Sequence, residues 1–223
     1  MRRIIIICEG ETEQDFCKTI LYHHFIGMGL HIQPPLIKKT KGGIVKWDVL
    51  KKQIEGHLKE DSNAYVTTLI DYYGLYEKYQ FPQWELAHTL VDKEAMMDSL
   101  EQGMRIDINN NRFIPYMQLH EFEGLLFNDV NIFQQVIPKY ELVGMQELNK
   151  TFSDYSNPEM INNNRQTSPS HRLQRIIKGY NKVVYGNIIA EAIGLLRIRQ
   201  KCPRFNNWIT NLENLRANET TIR

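Results

Sequence analysis

The chain has 223 residues, a formal net charge of +1 and a hydrophobic fraction of 42%, which are ordinary values for a globular protein. No apolar run approaches the roughly 20 residues of a membrane span, and the short apolar run near the start leads into acidic residues, unlike a signal peptide. The three cysteines are widely separated and lack CxxC spacing, which argues against a zinc site or a disulfide framework and favours a reducing cytoplasm.

The small net charge conceals an uneven distribution of charge along the chain. Residues 161–223 contain 11 Lys and Arg against 3 Asp and Glu, a balance of +8, whereas residues 1–160 contain 16 against 23, a balance of −7. An acidic first part with a basic last part fits a metal pocket beside a phosphate-binding surface. It also fits internal charge complementarity, so the balance alone does not select a function.

The first clear element is the apolar, β-branched run Ile4–Cys8, which predicts a strand buried on both faces. The strand ends at Glu9, and Thr12 is predicted to cap a helix that begins near Glu13. Open α/β sheets build their sites at the carboxyl ends of the strands. We therefore expect Glu9 and Glu13 to point into one crevice.

Three carboxylates, those of Glu9, Glu11 and Glu13, fall within five residues and repel one another unless something cationic lies between them. The positive end of the helix dipole offsets part of this repulsion, and a divalent cation would offset more. Because carboxylate oxygens are hard ligands, they favour Mg²⁺ or Mn²⁺. The alternative is a solvated acidic helix start, and this stretch alone does not decide between the two.

Two later predicted strands also end in acidic residues. The run Ala64–Ile70 predicts a second buried strand that ends at Asp71, and Arg112–Leu119 predicts a third that leads to Glu121 and Glu123. Glu121 and Glu123 lie on the same side of an extended chain, so one or both can face the crevice. The repetition favours a metal site over the alternatives, which are a turn-forming aspartate and an acidic start of a helix.

The remaining pattern predicts an edge strand over Leu30–Ile37, which contains two prolines, and helices over Lys46–Leu58 and Gln83–Gly103. Thr151–Ser170 is rich in Asn, Ser and Pro and predicts a long mobile loop. We therefore divide the chain at residue 150, with an α/β core before it and this loop and a basic helical extension, packed on the core, after it.

Basic residues supply candidate phosphate contacts in two places. The loop Lys38–Gly43, which contains Lys41, precedes a helix and can bind phosphate through backbone N–H groups and lysines, although it lacks the order of a P-loop. In the basic last part, Arg172 and Lys182 interleave with aromatic residues, as phosphate contacts and base stacking require. Lys182 is a candidate electrophile for a developing phosphate charge. The alternatives are a solvated loop and solvated surface charges.

The motif EGETE (Glu9–Glu13) after a buried strand, with Asp71 at the end of a later strand, resembles the Toprim domain. In that family a glutamate after the first strand and a DxD motif after a later one bind magnesium for phosphodiester chemistry. The EGxTE form looks most like the OLD-type nucleases. The resemblance implies that Glu9, Glu13 and Asp71 are metal ligands.

The wider pattern is similar to a bacterial domain-of-unknown-function family with a Toprim-like fold, numbered four-two-seven-six. The shared motifs run from Arg3 to Leu215 and are EGxTE, DYYG, HEFEGLLF, Ser-x-Arg, YxKxxxG and RxxCPxFxxW. The residues that match the motifs after DYYG, without an established role, include His120, Glu121, Glu123, Arg172 and Lys182. Because genes of this family often lie beside ATPase genes, the resemblance implies an ATPase partner and a place in defence against phage.

One position departs from the Toprim pattern, because Tyr73 stands where the second aspartate of DxD is expected. A two-metal site needs bridging and terminal carboxylates. Either Glu121 or Glu123 then supplies the missing ligand, or the site holds one metal ion.

We therefore predict a Toprim-like, mainly parallel α/β sheet flanked by helices, with a basic helical C-terminal extension. The predicted function is Mg²⁺- or Mn²⁺-dependent cleavage of nucleic acid, DNA or RNA, in the cytoplasm and without membrane association. Its catalytic residues would be Glu9, Glu13, Asp71 and Lys182, and its substrate contacts His120, Lys41, Arg172 and Lys182. The alternative is a degenerate Toprim module that regulates a partner protein and cuts nothing alone.

Overall fold

The computed structural model describes residues 2–38, 43–162 and 164–219. The chain divides into two compact units, of which the first is Met1–Leu119 with Asn211–Arg223 and the second is His120–Thr210. The division at residue 150 was drawn from composition and charge, and it stays a prediction.

The first unit contains a sheet and the helices that flank it. Its elements before Leu119 are β1 (Arg2–Cys8), α1 (Glu11–Phe16), a π-helical turn (Cys17–Leu21), α2 (Tyr22–Ile26), β2 (Leu30–Gln33), α3 (Trp47–Glu60), β3 (Tyr65–Asp71), a 3₁₀ turn (Glu77–Tyr79), α4 (Trp84–His88), α5 (Lys93–Ile108), β4 (Phe113–Ile114) and β5 (Met117–Gln118).

The sheet has the order β2-β1-β3-β4, with β5 also paired to β3, and all of these pairings are parallel. Four of the five residues from Ile4 to Cys8 are fully buried, as expected of a central strand covered on both faces. The predicted mainly parallel sheet flanked by helices is therefore confirmed, and so is the edge position of β2.

One face of the sheet packs against α3 and α5 in a continuous apolar core. Ile5 and Val66 of the sheet belong to the same cluster as Leu50 of α3 and Met97 and Leu100 of α5. This packing fixes the strands, and the residues that follow their carboxyl ends are therefore held on a rigid support.

Three boundaries differ from the sequence prediction in the first unit. Gly10, rather than Thr12, is the N-cap of α1, and Thr12 is buried within the helix. The predicted helix Gln83–Gly103 is two helices, because Asp92 accepts a hydrogen bond from Ala95 N at 2.7 Å and starts α5 separately.

The predicted strand Arg112–Leu119 is two short strands separated by Pro115 and Tyr116. Proline has no N–H to donate to the sheet. At this break Thr68 Oγ1 donates to Tyr116 O at 2.8 Å and accepts from Tyr116 N at 3.1 Å, so a side chain replaces the missing backbone pairing.

The second unit is helical. Its elements are a 3₁₀ turn (Phe122–Leu126), α6 (Val130–Val136), α7 (Met145–Asp154), a 3₁₀ turn (Pro158–Met160), α8 (Pro169–Ile176), α9 (Lys182–Ile193) and α10 (Leu195–Lys201). Of the predicted loop Thr151–Ser170, residues 151–154, 158–160 and 169–170 lie in α7, the second 3₁₀ turn and α8. The mobility of this segment stays a prediction.

The last helix, α11 (Pro203–Glu213), returns the chain from the second unit to the first, and a 3₁₀ turn (Asn214–Glu219) follows it. Within the first unit this end is tied to the start of the chain. Arg2 Nη1 donates to Leu215 O, and Glu213 Oε1 lies 2.7 Å from His24 Nε2. Among the described residues, no helix has the length and apolar character that a bilayer crossing requires.

Two helical glycines of the first unit provide a test of the packing. A Cβ on Gly103 of α5 would lie 2.8 Å from Pro82 O, whereas a Cβ on Gly56 of α3 would meet nothing within 4 Å. We expect Gly103→Ala to lower the free energy of unfolding by about 1 to 3 kcal/mol through overpacking. Gly56→Ala should raise it by about 0.5 to 1 kcal/mol, since alanine favours the helix. Urea denaturation measures both, and equal effects would contradict the close packing at Gly103.

Candidate functional site

The carboxyl ends of β1 and β3 are joined by the side chain of Glu9. Its backbone N donates to Leu69 O at 3.1 Å, so the parallel pairing continues one residue beyond β1. Its Oε2 atom accepts a hydrogen bond from Asp71 N at 2.9 Å. The first two predicted acidic strand ends therefore meet, because the Glu9 carboxylate lies at the backbone N–H of Asp71.

Glu13 is held against the turn that connects β1 to α1. Its side chain is only 1% exposed, and a Cβ on Gly10 would lie 2.9 Å from Glu13 Oε2. The absence of a side chain at Gly10 therefore lets this carboxylate lie over the backbone of the turn. Glu9 and Glu13 thus both lie at the turn, whereas Glu11 is exposed on α1. That the first two point into one crevice stays a prediction.

A pair of buried cysteines lies beneath this turn. Cys8 Sγ and Cys17 Sγ are 3.8 Å apart. Burial raises the pKa of the Cys8 thiol well above its ordinary value, the neighbouring Cys17 raises it further, and the negative charge of Glu13 adds to the effect. Cys8 is therefore packed as a neutral, apolar group, and both cysteines are buried and free.

A π-helical turn, Cys17–Leu21, directly follows α1. Interruptions of this kind occur mostly as single turns within α-helices and often lie at functional sites. No local residue pattern distinguishes this π turn from a regular helix. It marks the α1 segment as a place where the helix departs from ideal geometry close to the candidate site.

Asp71 is 6% exposed at the end of β3, and its neighbours are placed by the turn that follows. Tyr72 is buried with its hydroxyl 3.1 Å from His88 Nε2, and burial raises the pKa of this phenol. Tyr73, at the position where a second acid is expected, is half-buried. The turn therefore provides one carboxylate.

The side chains at this edge have the type of ligand atom, carboxylate oxygen, that a hard divalent cation prefers. Glu9, Glu13 and Asp71 offer carboxylate oxygens, and the open space above Gly10 accommodates one of them. Across residues 2–38, 43–162 and 164–219, no group of three His, Cys, Asp or Glu side chains is arranged so that it could hold a metal ion. The three-carboxylate metal site stays a prediction.

In the second unit, Glu121 contacts the first turn of α8. Its Oε2 accepts from Ser170 N and its Oε1 from Ser170 Oγ, both at 2.8 Å, and the side chain is 4% exposed. A carboxylate at a helix N-terminus satisfies a backbone N–H that has no partner within the helix and interacts favourably with the helix dipole. This geometry gives Glu121 a structural contact that the sequence did not predict.

Glu123 and Lys182 form an ion pair in the same unit. Lys182 Nζ lies 3.2 Å from Glu123 Oε1, and the Glu123 side chain is fully buried whereas that of Lys182 is 44% exposed. Lys182 is the first residue of α9, which Asn181 caps by accepting from Val184 N at 3.1 Å. The lysine is thus oriented by a buried carboxylate and remains open to solvent.

The other predicted substrate contacts differ in their surroundings. His120 is 4% exposed, with a φ of 68°, an uncommon left-handed conformation for this residue. Arg172 donates from Nε to Thr167 O at 2.8 Å and from Nη1 to Thr151 Oγ1 at 3.1 Å, and its side chain is 11% exposed. Arg172 therefore braces the segment between α7 and α8. Lys41 lies outside the described residues.

Glu159 is a buried acid that the sequence analysis missed. It is 1% exposed, and its two carboxylate oxygens accept hydrogen bonds from Arg204 N and Phe205 N, both at 2.9 Å, at the start of α11. The partner helix begins more than 40 residues later, so no local spacing connects the two. Only Pro203 at the first helical position indicated where that helix starts.

The comparisons with known proteins agree with the family predicted from the motifs. The model of the family described as "Domain of unknown function (DUF4276)" matches residues 8–213. A solved structure, the C-terminal region of the OLD protein of Xanthomonas campestris pv. campestris, has a TM-score of 0.41 and 16% identity, and the alignment covers 96% of each chain. A likeness this distant assigns no activity and no residue roles. No curated protein matches the chain.

The contact of Glu121 with α8 is tested by Glu121→Ala measured without metal. Loss of the carboxylate removes two hydrogen bonds to a charged acceptor and leaves Ser170 N without its carboxylate acceptor, so we expect the free energy of unfolding to fall by about 1.5 to 3 kcal/mol. Exposed Glu191→Ala, in the same unit, should change it by about 0.5 kcal/mol or less. Urea denaturation in EDTA measures both. A Glu121 variant as stable as wild type would exclude a structural role for this acid.

Proposed function

We propose that this protein, which belongs to the family described as Domain of unknown function (DUF4276), is a Mg²⁺- or Mn²⁺-dependent nuclease that hydrolyses nucleic acid phosphodiesters. Membership of the family names no activity. The proposal therefore depends on the chemistry of the residues at the carboxyl edge of the sheet and on the sequence motifs that place them there.

The observation that carries the proposal is the junction of Glu9 with Asp71. Glu9 Oε2 accepts from Asp71 N at 2.9 Å across two adjacent parallel strands, and Glu13 is buried against the same turn. Acidic side chains are costly to gather at one place. A site that binds a cation offsets this cost, and crevices at the carboxyl ends of parallel strands are where open α/β sheets bind ligands.

Glu9, Glu13 and Asp71 would hold the metal ion. A bound Mg²⁺ or Mn²⁺ activates water and stabilises the negative charge that develops on the phosphate. The residues themselves contribute orientation, because the hydrogen bond from Asp71 N fixes the direction of the Glu9 carboxylate, and the Gly10 turn fixes that of Glu13. Glu9 could alternatively act as a general acid or base in this reaction.

Lys182 is the residue we assign to the substrate phosphate. Glu123 orients its ammonium group at 3.2 Å, and nearly half of the lysine side chain is exposed, so it can approach a ligand. The contacts of Arg172 with Thr167 O and Thr151 Oγ1 suggest that it positions the segment before α8, and a direct phosphate contact would have to come from its remaining donors. His120 and Lys41 stay proposed substrate contacts on the basis of the motifs.

The wider assignments rest on the sequence resemblance. A place in phage defence, an ATPase partner, and DNA or RNA as substrate belong to this proposal.

A second candidate function is a module that binds metal and regulates a partner protein without cutting nucleic acid. Two observations favour it. Tyr73 replaces the expected second acid, and both oxygens of Glu121, one of the two acids that could compensate, accept hydrogen bonds from Ser170. Glu123 is then the remaining candidate, and it is paired with Lys182.

Cleavage assays with matched glutamate variants test the proposed function. Plasmid DNA, single-stranded DNA and RNA are incubated with wild-type protein, Glu9→Gln and Glu11→Gln, in Mg²⁺, Mn²⁺ or EDTA. We expect metal-dependent cleavage that falls about 100-fold or more in Glu9→Gln, because even outer contacts of a metal site contribute 10- to 100-fold. Exposed Glu11→Gln should cleave like wild type.

Metal-dependent thermal unfolding distinguishes the two candidate functions. Absence of cleavage by wild type, with a metal-induced rise in Tm that Glu9→Gln abolishes, would select the regulatory module, since a ligand that binds the folded state stabilises it. If metal changes neither cleavage nor Tm, both candidate functions are contradicted, because each requires a metal ion bound at the acidic edge of the sheet.

A further inference from the structure

A pocket of about 830 Å³ lies in the first unit, where the segment after β3 faces the start of α3. Its lining includes Lys46, the N-cap residue of α3, and residues of the 3₁₀ turn and α4. The volume is within the range of pockets that bind small organic groups. The sequence pattern predicted no binding site at these residues.

The lining combines flat aromatic surface with amides and ammonium groups. Trp84 supplies the aromatic surface, with buried Phe81 behind it, and Lys78 supplies an ammonium group. Gln80 and Gln83 supply the amides, of which the Gln83 oxygen also accepts from Ser99 Oγ at 3.1 Å. Lys78 Nζ lies over two stacked tyrosine rings, 5.4 Å from the Tyr76 centroid and 5.2 Å from that of Tyr79. Aromatic rings that stack, amides that read base edges and cations that contact phosphate are the groups with which proteins bind unpaired nucleotides.

The residues around the pocket pack against α3, α5 and a neighbouring residue of α4. Phe81 contacts Trp47 of α3 with ring centroids 5.4 Å apart, and Pro82 lies so close to α5 that only glycine fits at residue 103. The Trp84 ring packs on His88 at 3.9 Å. The aromatic surface is thus preorganised, which lowers the entropic cost of binding a ligand on it.

The backbone at the pocket is strained at two positions. Gln80 and Gln83 have φ values of 57° and 58°, and these are two of the four non-glycine residues with positive φ in the described ranges. Residues held in this conformation cluster at ligand-binding sites, where the surrounding structure enforces them. The strain is at amide-bearing residues that line the pocket, in agreement with a ligand contact by these side chains.

The charge of the lining selects the kind of nucleic acid. Two lysines, Lys46 and Lys78, are balanced by Glu77 and Glu85. A surface without net positive charge does not gain the counterion release that dominates binding of duplex DNA. Affinity must then come from stacking, which requires bases that are not paired.

We propose that this pocket binds an unpaired base of single-stranded nucleic acid by stacking on Trp84, in the same unit as the acidic edge of the sheet. The proposal rests on the proposed function, because Glu77 of the pocket follows Asp71 by six residues and is therefore at most about 22 Å from it, at roughly 3.6 Å per residue. It narrows the substrate class to single strands, or to duplexes with unpaired segments.

Binding measured in EDTA tests the pocket without requiring cleavage. Fluorescence anisotropy of labelled single-stranded oligothymidylate gives Kd for wild type, Trp84→Ala and Trp84→Phe. We expect Trp84→Ala to raise Kd by about 5- to 150-fold, the range for loss of one stacked base, and Trp84→Phe to restore most of the affinity. Tyr140→Ala, which removes an exposed aromatic residue of the second unit, is the matched control and should bind like wild type.

Two further measurements sharpen the result. Because the lysines of the lining are balanced by glutamates, Kd of the single strand should depend only weakly on salt concentration. A blunt duplex of the same sequence should bind more weakly than the single strand. Thermal unfolding of each variant shows that the protein is folded.

Each outcome decides the proposal separately from the nuclease activity. Three results would each contradict the proposed base-binding pocket, even if metal-dependent cleavage is present. They are no binding of the single strand by wild type, equal Kd for Trp84→Ala and wild type, and equal binding of duplex and single strand. Binding that requires Trp84, together with no cleavage in any metal, would support the pocket and overturn the nuclease.

Discussion

The hydrogen bond from Asp71 N to Glu9 Oε2 is the interaction on which the candidate site depends. It exists because β1 and β3 are adjacent, parallel and in a register that pairs Cys8 with Leu69, so both strands end at the same edge. The apolar runs before the two acids fix that register by burial. Burial of isoleucine, leucine and valine side chains thus determines where the Glu9 carboxylate meets the backbone of Asp71.

Acidic side chains occupy two kinds of position in this protein. At the edge of the sheet, Glu9, Glu13 and Asp71 are gathered by the strand ends and the Gly10 turn. In the second unit, Glu121 and Glu159 each accept hydrogen bonds from the first turn of a helix, where backbone N–H groups need acceptors. A motif such as HEFE therefore combines residues of unlike roles, since Glu121 contacts a helix end and Glu123 contacts Lys182.

The features that depend on local sequence were predictable, and those that depend on distant contacts were not. The buried strand Ile4–Cys8 follows from its composition, and the meeting of Glu9 with Asp71 follows from parallel pairing. The division of the third strand required Thr68 to satisfy Tyr116, which lies 48 residues away. The contact of Glu159 with the start of α11 spans a similar distance. Periodicity contains no information about such partners.

The path of the chain through the two units has a consequence for biosynthesis. Residues 120–210 form the second unit, and the segment from Asn211 onward belongs to the first, where Leu215 O accepts from Arg2 and Glu213 contacts His24. A ribosome delivers the chain from its start, and domains tend to fold as they emerge. The first unit therefore lacks its last segment until the whole second unit has been translated. The contacts of Arg2 and His24 with this last segment can form only after the second unit has been synthesised.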